Sequence, residues 1–186
     1  TSISESPVSA SLLWVGTSDG KVHLTRDGGG EWTDVTARLT AAGGGEDAYV
    51  SRVRASHHVP SRAYVAKNGY RFDDFKPYLY RTDDFGATWR SISNGLPDEP
   101  INVVWEDYRN ANLPFVGNDT GVFVSIDGGA SWVKMNNNMP NIPVHDLMVH
   151  PRDQDLVLGT YARGFYITNI RPLQELTPAV LASDAH

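Results

Sequence analysis

The chain has 186 residues, of which 40% are hydrophobic and 20% charged, a composition typical of a soluble folded domain. Its net charge of −6 and its lack of a Lys/Arg cluster argue against nucleic acid or an anionic membrane surface as a partner, because both require a cationic face. The absence of cysteine excludes disulfides and thiolate metal sites, and no apolar run is long enough to predict membrane insertion.

Short strands separated by turn residues recur along the chain in four units. We label the strands of a unit A to D, from the inside outward, and each A strand is followed by a B and a C strand with alternating apolar residues. A repeat of this size with β character is typical of propellers or arrays. The units are predicted at about residues 1–39, 50–97, 100–140 and 144–170, with an exit tail at 171–186; the A strands are predicted at 1–6, 50–56, 101–107 and 144–150.

The pattern Ser/Thr-x-Asp-x-Gly-x-x-Trp occurs three times, at 25–32, 82–89 and 125–132. A hairpin between strands C and D requires residues that tolerate positive φ and side chains that accept hydrogen bonds from turn amides. The residue before the tryptophan is Glu31 in the first copy, where the other two copies have Thr88 and Ser131. In the fourth unit Ile170 replaces the aspartate, so its outer strand must come from elsewhere. The residues predicted to have a structural role in these turns are Asp27, Gly30, Trp32, Asp84, Gly86, Trp89, Asp127, Gly129 and Trp132.

This pattern resembles the Asp box, or bacterial neuraminidase repeat, of sialidases, sortilin-type receptors, xyloglucan-degrading propellers and photosystem assembly-factor-like propellers. The resemblance implies an all-β fold, a β-propeller of Asp-box type. Because such propellers generally have six or more blades, the four blade units are expected to be part of a larger ring, completed by missing blades of the parent chain or by a second copy in a homodimer. The repeats and the tail look most like secreted bacterial glycosyl-hydrolase-like proteins, which predicts a secreted or periplasmic location.

The resemblance places the box aspartates at the blade periphery, so a ligand is expected on the opposite face, where the B–C and D–A connections converge. The second B–C connection is expanded to AKNGYRFDDFKPY, which predicts a binding loop; alternatively, Phe72 and Phe75 fold back over the blade and the charges are solvated. The glycine-rich connection at 40–48 is either a mobile rim or a linker. The predicted ligand-binding residues are Tyr70, Arg71, Asp73, Asp74, Lys76, Asn118, Asp119, Tyr161 and Arg163.

The histidines do not form a predicted metal site, and no cofactor is expected. His57, His58 and His150 lie in A–B turns on the box face, and His145 lies at the start of a strand A, where it could approach the opposite face. None of these histidines has a second histidine or a carboxylate at metal-ligand spacing.

Peptide or glycan binding is the preferred functional hypothesis, and it draws on the resemblance to sortilin-type receptors. Glycoside hydrolysis of the sialidase or xyloglucanase kind is the alternative, with Asp19, Asp73, Asp74 and Asp119 as candidate carboxylates on B–C loops or with catalytic groups in missing blades. The chain lacks the Arg-Ile-Pro segment of the sialidase pattern, so whether it is an enzyme stays open. A purely structural scaffold is the third possibility, because fold alone does not define function.

Overall fold

Four antiparallel sheets follow one another along the chain in a computed structural model that describes residues 1–135, 138–176 and 180. Within every sheet each strand pairs with the next one in sequence, so each sheet is a meander. The strands are β1 (Ser2–Glu5), β2 (Leu13–Gly16), β3 (Val22–Thr25) and β4 (Thr33–Asp34); β5 (Tyr49–Ala55), β6 (Ala63–Gly69), β7 (Asp74–Thr82) and β8 (Arg90–Ser91); β9 (Ile101–Glu106), β10 (Pro114–Asn118), β11 (Gly121–Val124) and β12 (Val133–Met135); and β13 (Val144–Val149), β14 (Asp155–Thr160) and β15 (Phe165–Asn169).

The sheets stack face to face around their first strands, with β1 against β5, β5 against β9 and β9 against β13. A cluster of buried apolar side chains fills each of the three interfaces, and the largest fully buried members are Trp14, Tyr64 and Phe115. Burial of such aromatic residues is the main favourable contribution to packing one sheet on the next. The arrangement is that of consecutive propeller blades, and the predicted all-β fold is confirmed.

Backbone hydrogen bonds join the A–B turn of each of the first three sheets to its C–D turn. The amides of Gly28, Phe85 and Gly128 each donate at 2.9 Å to a carbonyl of the A–B turn. Gly28 and Gly128 have φ of 78° and 72°, a region that glycine enters without steric cost. We call this side of the molecule the box face and the side of the B–C and D–A connections the loop face.

The two long connections predicted from the sequence have different structures. Helix α1 (Thr36–Ala41) occupies the start of the glycine-rich D–A connection. In the expanded B–C connection, β6 and β7 continue through most of the segment, so only residues 70–73 join them, as a short 3₁₀ helix (Tyr70–Phe72) followed by Asp73. The prediction of a long loop there was wrong. The interpretation that Phe72 and Phe75 cover the blade was also wrong, because they are 64% and 49% exposed.

The fourth sheet has three strands among the described residues, where the other three sheets have four. After β15 the buried Ile170 leads into helix α2 (Arg171–Gln174), whose Gln174 Nε2 donates to Asp107 Oδ2 of the third sheet at 2.7 Å. The remainder of the predicted exit tail, residues 177–179 and 181–186, lies outside the described residues. None of the helices in the described part of the chain has the length and apolar character needed to cross a membrane.

Candidate functional site

The box aspartates are hydrogen-bonded within their own turns. Asp127 Oδ1 accepts hydrogen bonds from the Ser125 hydroxyl at 2.7 Å and from the Ala130 and Ser131 amides at 2.9 Å, and Oδ2 accepts one from the Ser131 hydroxyl at 2.5 Å. Partial burial raises the pKa of Asp127, but these hydrogen bonds, first that from Ser131, outweigh it and lower the pKa below its ordinary value. A carboxylate satisfied in this way stabilises a turn.

The first box turn lacks one of these contacts. In the second turn the Thr88 hydroxyl donates to Asp84 Oδ2 at 2.6 Å. In the first turn Asp27 accepts from the Glu31 amide at 3.0 Å and from the Thr25 hydroxyl at 2.7 Å, but Glu31 supplies no hydroxyl. The departure seen in the sequence therefore removes a side-chain hydrogen bond.

The box tryptophans contact the preceding sheet. Trp89 packs edge-on against Trp14 of the first sheet with ring centroids 6.1 Å apart, and Trp132 Nε1 donates to the Ile92 carbonyl of the second sheet at 2.7 Å. Trp32 belongs to the first sheet and is 45% exposed. The box motif therefore contributes to stacking of the sheets as well as to its own hairpin.

On the loop face, side chains of three consecutive sheets converge on a cleft of about 310 Å³. The second sheet contributes the start of β5, the end of β6 and the 3₁₀ helix; the third contributes β9 and the β10–β11 turn; the fourth contributes the start of β13 and the β14–β15 turn. We call this the loop-face cleft. Its lining residues are Tyr49, Asn68, Tyr70, Asn102, Asp119, Pro143, His145 and Tyr161.

A row of polar side chains crosses the cleft. Asn102 Nδ2 donates to Asp119 Oδ1 at 2.7 Å, and Asn68 Nδ2 donates to Asn102 Oδ1 at 3.3 Å. Asp119 is exposed, and within the described part of the chain its second carboxylate oxygen has no hydrogen-bond donor. The row therefore fixes the orientation of a carboxylate and leaves one oxygen available to a ligand.

Two pairs of rings flank this polar row. Tyr49 and Tyr70 meet edge to face at 6.4 Å, with the Arg71 guanidinium 4.9 Å from the Tyr49 ring, while His145 and Tyr161 lie 5.6 Å apart. Burial, followed by the neighbouring Tyr70 hydroxyl, raises the pKa of Tyr49 above its ordinary value. Tyr70 is 50% exposed and Tyr161 68% exposed, so both rings are accessible from solvent.

Three of the predicted ligand-binding residues, Tyr70, Asp119 and Tyr161, line the cleft together. Arg71 lies beside it through its contact with Tyr49. Asn118 is buried at the end of β10, where its Oδ1 accepts hydrogen bonds from Thr120, so it shapes the turn beneath Asp119 and does not line the cleft.

The other predicted residues lie elsewhere. Asp74 accepts a hydrogen bond from the Tyr78 hydroxyl and lines a separate recess with Glu46 and Asp47. Asp19 lies in the first sheet and pairs with Lys21 at 3.2 Å. Neither joins Asp119 in the loop-face cleft, and the remaining predicted residues, Asp73, Lys76 and Arg163, are exposed outside its lining.

Sequence reasoning missed Tyr49, Asn68, Asn102 and Pro143. Tyr49 is the first residue of β5, Asn102 the second of β9 and His145 the second of β13, so all three stand at the loop-face end of an inner strand. An alignment of the four repeat units at the start of strand A would have placed these three residues at neighbouring positions. Over residues 1–135, 138–176 and 180, no group of three or more His, Asp or Glu side chains is placed to hold a metal ion.

No family model and no curated protein matches the sequence. Among solved structures, the chain is similar to a GH74 enzyme from Niastella koreensis, with a TM-score of 0.67 and 16% identity over 90% of this chain and 22% of the enzyme. It is also similar to YCF48 bound to D1 peptide, with a TM-score of 0.59 and 14% identity over 91% of this chain and 49% of YCF48. A computationally designed protein, Ika4, is covered over 89% of its length, with a TM-score of 0.60 and 12% identity.

The chain thus spans about a fifth of the GH74 enzyme and about half of YCF48. At these identities the likeness concerns the fold alone. Four stacked antiparallel sheets and these structural neighbours together show that the chain has a β-propeller fold.

Proposed function

We propose that this propeller segment binds a peptide or glycan in the loop-face cleft. The observation that carries the proposal is the convergence of side chains from three sheets, with Asp119 held through one oxygen between exposed tyrosines. Tyrosine rings pack against the apolar faces of sugars and against peptide side chains, while amide and carboxylate groups fix polar atoms of the ligand. These are the features of a small binding site.

The structural neighbours support the same two ligand classes. YCF48 is a protein bound to D1 peptide, and another neighbour is a GH74 xyloglucanase from Xanthomonas campestris, which acts on a glycan. The net charge of −6 disfavours a polyanionic ligand. We therefore retain peptide and glycan as the two classes to be tested.

Binding is favoured over hydrolysis because Asp119 is the one carboxylate among the residues that line the cleft in the described part of the chain. Glycoside hydrolysis usually requires two carboxyl groups about 5 to 10 Å apart. Asp74 lies in a different recess and Asp19 in a different sheet. A hydrolase would need its second carboxylate from outside the cleft described here.

The proposal includes a propeller of Asp-box type, sortilin-like in arrangement, in a secreted or periplasmic protein. The hydrogen bonding of the three box aspartates supports the first part. Exposed apolar residues on the two end sheets, Trp32 in the first and Phe165 in the fourth, support further blades or a second copy that completes the ring. Light scattering tests the second copy, since a monomer at all concentrations would exclude it.

The binding proposal is tested by screening the chain against a glycan array and a peptide library and titrating the hits by calorimetry. We expect Tyr161→Ala and Asp119→Asn each to weaken binding about tenfold or more. Asp73→Asn, exposed and outside the cleft, is the matched control and should leave affinity unchanged. Equal effects of all three substitutions, with folding verified by circular dichroism, would show that the ligand binds outside the cleft. The absence of any ligand would favour a scaffold role.

A further inference from the structure

The loop-face cleft combines aromatic ring faces with one carboxylate. Its lining contains Tyr49, Tyr70 and Tyr161, and Asp119 is the charged residue among the lining residues that the structure describes, with histidine counted as neutral. The face of an aromatic ring carries partial negative charge, so the rings and the carboxylate both attract a cation. The cleft therefore has the electrostatic character of a site for a positively charged group.

One ring pair of the cleft already holds a cation that belongs to the chain itself. The Arg71 guanidinium lies 4.9 Å from the centre of the Tyr49 ring and 6.0 Å from the centre of the Tyr70 ring. A guanidinium within about 6 Å of a ring centre is attracted by the ring face. The pair thus shows, within this molecule, which kind of group these rings accept.

The other ring pair is open to solvent. The rings of His145 and Tyr161 are 5.6 Å apart and tilted by 33°, and Tyr161 is 68% exposed. Over residues 1–135, 138–176 and 180, no lysine or arginine side chain is stacked on either of these rings. This pair is therefore accessible to a cation from a ligand.

Asp119 supplies the opposite charge beside these rings. Its Oδ1 accepts from Asn102 Nδ2 at 2.7 Å, whereas within the described part of the chain its Oδ2 accepts no hydrogen bond. An ionised carboxylate can only accept, so the group that complements Oδ2 is a donor, and a charged donor forms the stronger hydrogen bond.

We propose that the loop-face cleft recognises a peptide through a positively charged side chain, arginine or lysine, that stacks on Tyr161 and donates to Asp119 Oδ2. This inference rests on the binding function proposed above and selects one of its two ligand classes, because a neutral glycan carries no such cation. The net charge of −6 favours the approach of a basic peptide.

Two arginines beside the cleft oppose a second cation only weakly. Arg71 is held over the Tyr49 ring, and Arg163 is exposed to solvent outside the cleft lining, where its charge is screened. Neither forms an ion pair with Asp119 in the described part of the chain, so the carboxylate is available to the ligand.

Capped pentapeptides test the role of charge directly. The set is acetyl-Ala-Ala-X-Ala-Ala-amide, in which X is arginine, lysine, citrulline, Nε-acetyl-lysine or glutamate; citrulline and acetyl-lysine resemble the basic side chains in shape but carry no charge. Each peptide is titrated into the isotope-labelled 186-residue chain, and NMR follows the amide chemical shifts. We expect the arginine peptide to bind with a Kd below about 5 mM, the citrulline peptide to bind about tenfold more weakly, and the glutamate peptide not to bind.

Variants of the chain separate the carboxylate contact from the ring contact. Asp119→Asn should reduce the arginine-to-citrulline affinity ratio to about threefold or less, because only the ring attraction remains. Tyr161→Ala should weaken binding of the arginine peptide about threefold or more, whereas Tyr161→Phe keeps the ring face and should retain binding. Asp73→Asn, which removes an exposed negative charge outside the cleft lining, is the matched control and should leave the ratio unchanged. The amide spectrum of each variant verifies that it is folded.

The outcomes distinguish this inference from the binding function on which it rests. Cation recognition is overturned if the arginine peptide does not bind below about 10 mM, if the citrulline peptide binds as tightly, or if Asp73→Asn lowers the ratio as much as Asp119→Asn. In each case a glycan or uncharged peptide whose binding is lost in Tyr161→Ala would leave the binding function standing. If neither these peptides nor any glycan or library peptide binds, both proposals fail.

Discussion

The energetic value of a box tryptophan should depend on whether a preceding sheet covers it. Trp132 is 9% exposed and Trp32 is 45% exposed, although both occupy the same position of the motif. On a side chain of roughly 250 Å² this difference is about 90 Å², or about 2 kcal/mol at 25 cal/mol per Å². Trp132 also donates to the buried Ile92 carbonyl, and loss of that hydrogen bond adds about 1 kcal/mol.

We therefore expect Trp132→Ala to lower the free energy of unfolding by about 4 kcal/mol and Trp32→Ala to lower it by about 1 to 2 kcal/mol. Urea denaturation followed by far-ultraviolet circular dichroism measures both. Trp89→Ala is the matched control, because Trp89 is as buried as Trp132 but its indole nitrogen has no hydrogen-bond partner. An equal cost for Trp32→Ala and Trp132→Ala would refute the reasoning, since Trp32 would then be covered in solution.

Two further predictions concern the first box turn and a buried amine. Glu31→Thr should raise the thermal unfolding midpoint by supplying the hydroxyl that Asp27 lacks, whereas Thr88→Ala, which removes the equivalent hydroxyl, should lower it; unchanged midpoints in both would contradict this. Burial lowers the pKa of Lys67 to about 8, so the unfolded chain binds more protons between that pH and about 10.5, and the free energy of unfolding should rise with pH across this window. Denaturation of Lys67→Met at pH 7.5 to 10 should show a flatter profile, and an identical slope would argue against this assignment.

The sequence predicted the parts of the fold that depend on short-range chemistry. Aspartate, glycine and tryptophan at fixed spacing specify a hairpin, because turn amides and positive φ are local requirements. The three hairpins form as expected, and over the described residues the sheet that ends at Ile170 has three strands. Local patterns are sufficient where the partners are near in sequence.

The loop-face cleft depends on residues far apart in sequence, and the contacts between them were not predictable from local patterns. Asn102 contacts Asn68 of the second sheet and Asp119 of its own sheet, and no sequence motif indicates either contact. The segment at 66–78 was misread because its charged residues suggested a loop, although most of it lies in β6 and β7, where Ala66, Lys67 and Tyr78 are buried. The length of β7 depends on tertiary burial, which local sequence patterns do not reveal.

The cleft stands on strands that are fixed to one another independently of any ligand. At its base, the Ser51 hydroxyl of β5 donates to the Ile101 carbonyl of β9 at 2.6 Å, and Arg52 of β5 pairs with Asp146 of β13 at 2.7 Å. Towards the box face, the buried carboxylate of Glu106 in the third sheet accepts hydrogen bonds from second-sheet groups, including the Tyr64 hydroxyl at 2.8 Å. Contacts near both ends of the inner strands connect the sheets and hold Asn102 and Asp119 in place before binding. A ligand would therefore meet a preorganised site, and little of its binding free energy would be spent on ordering these side chains.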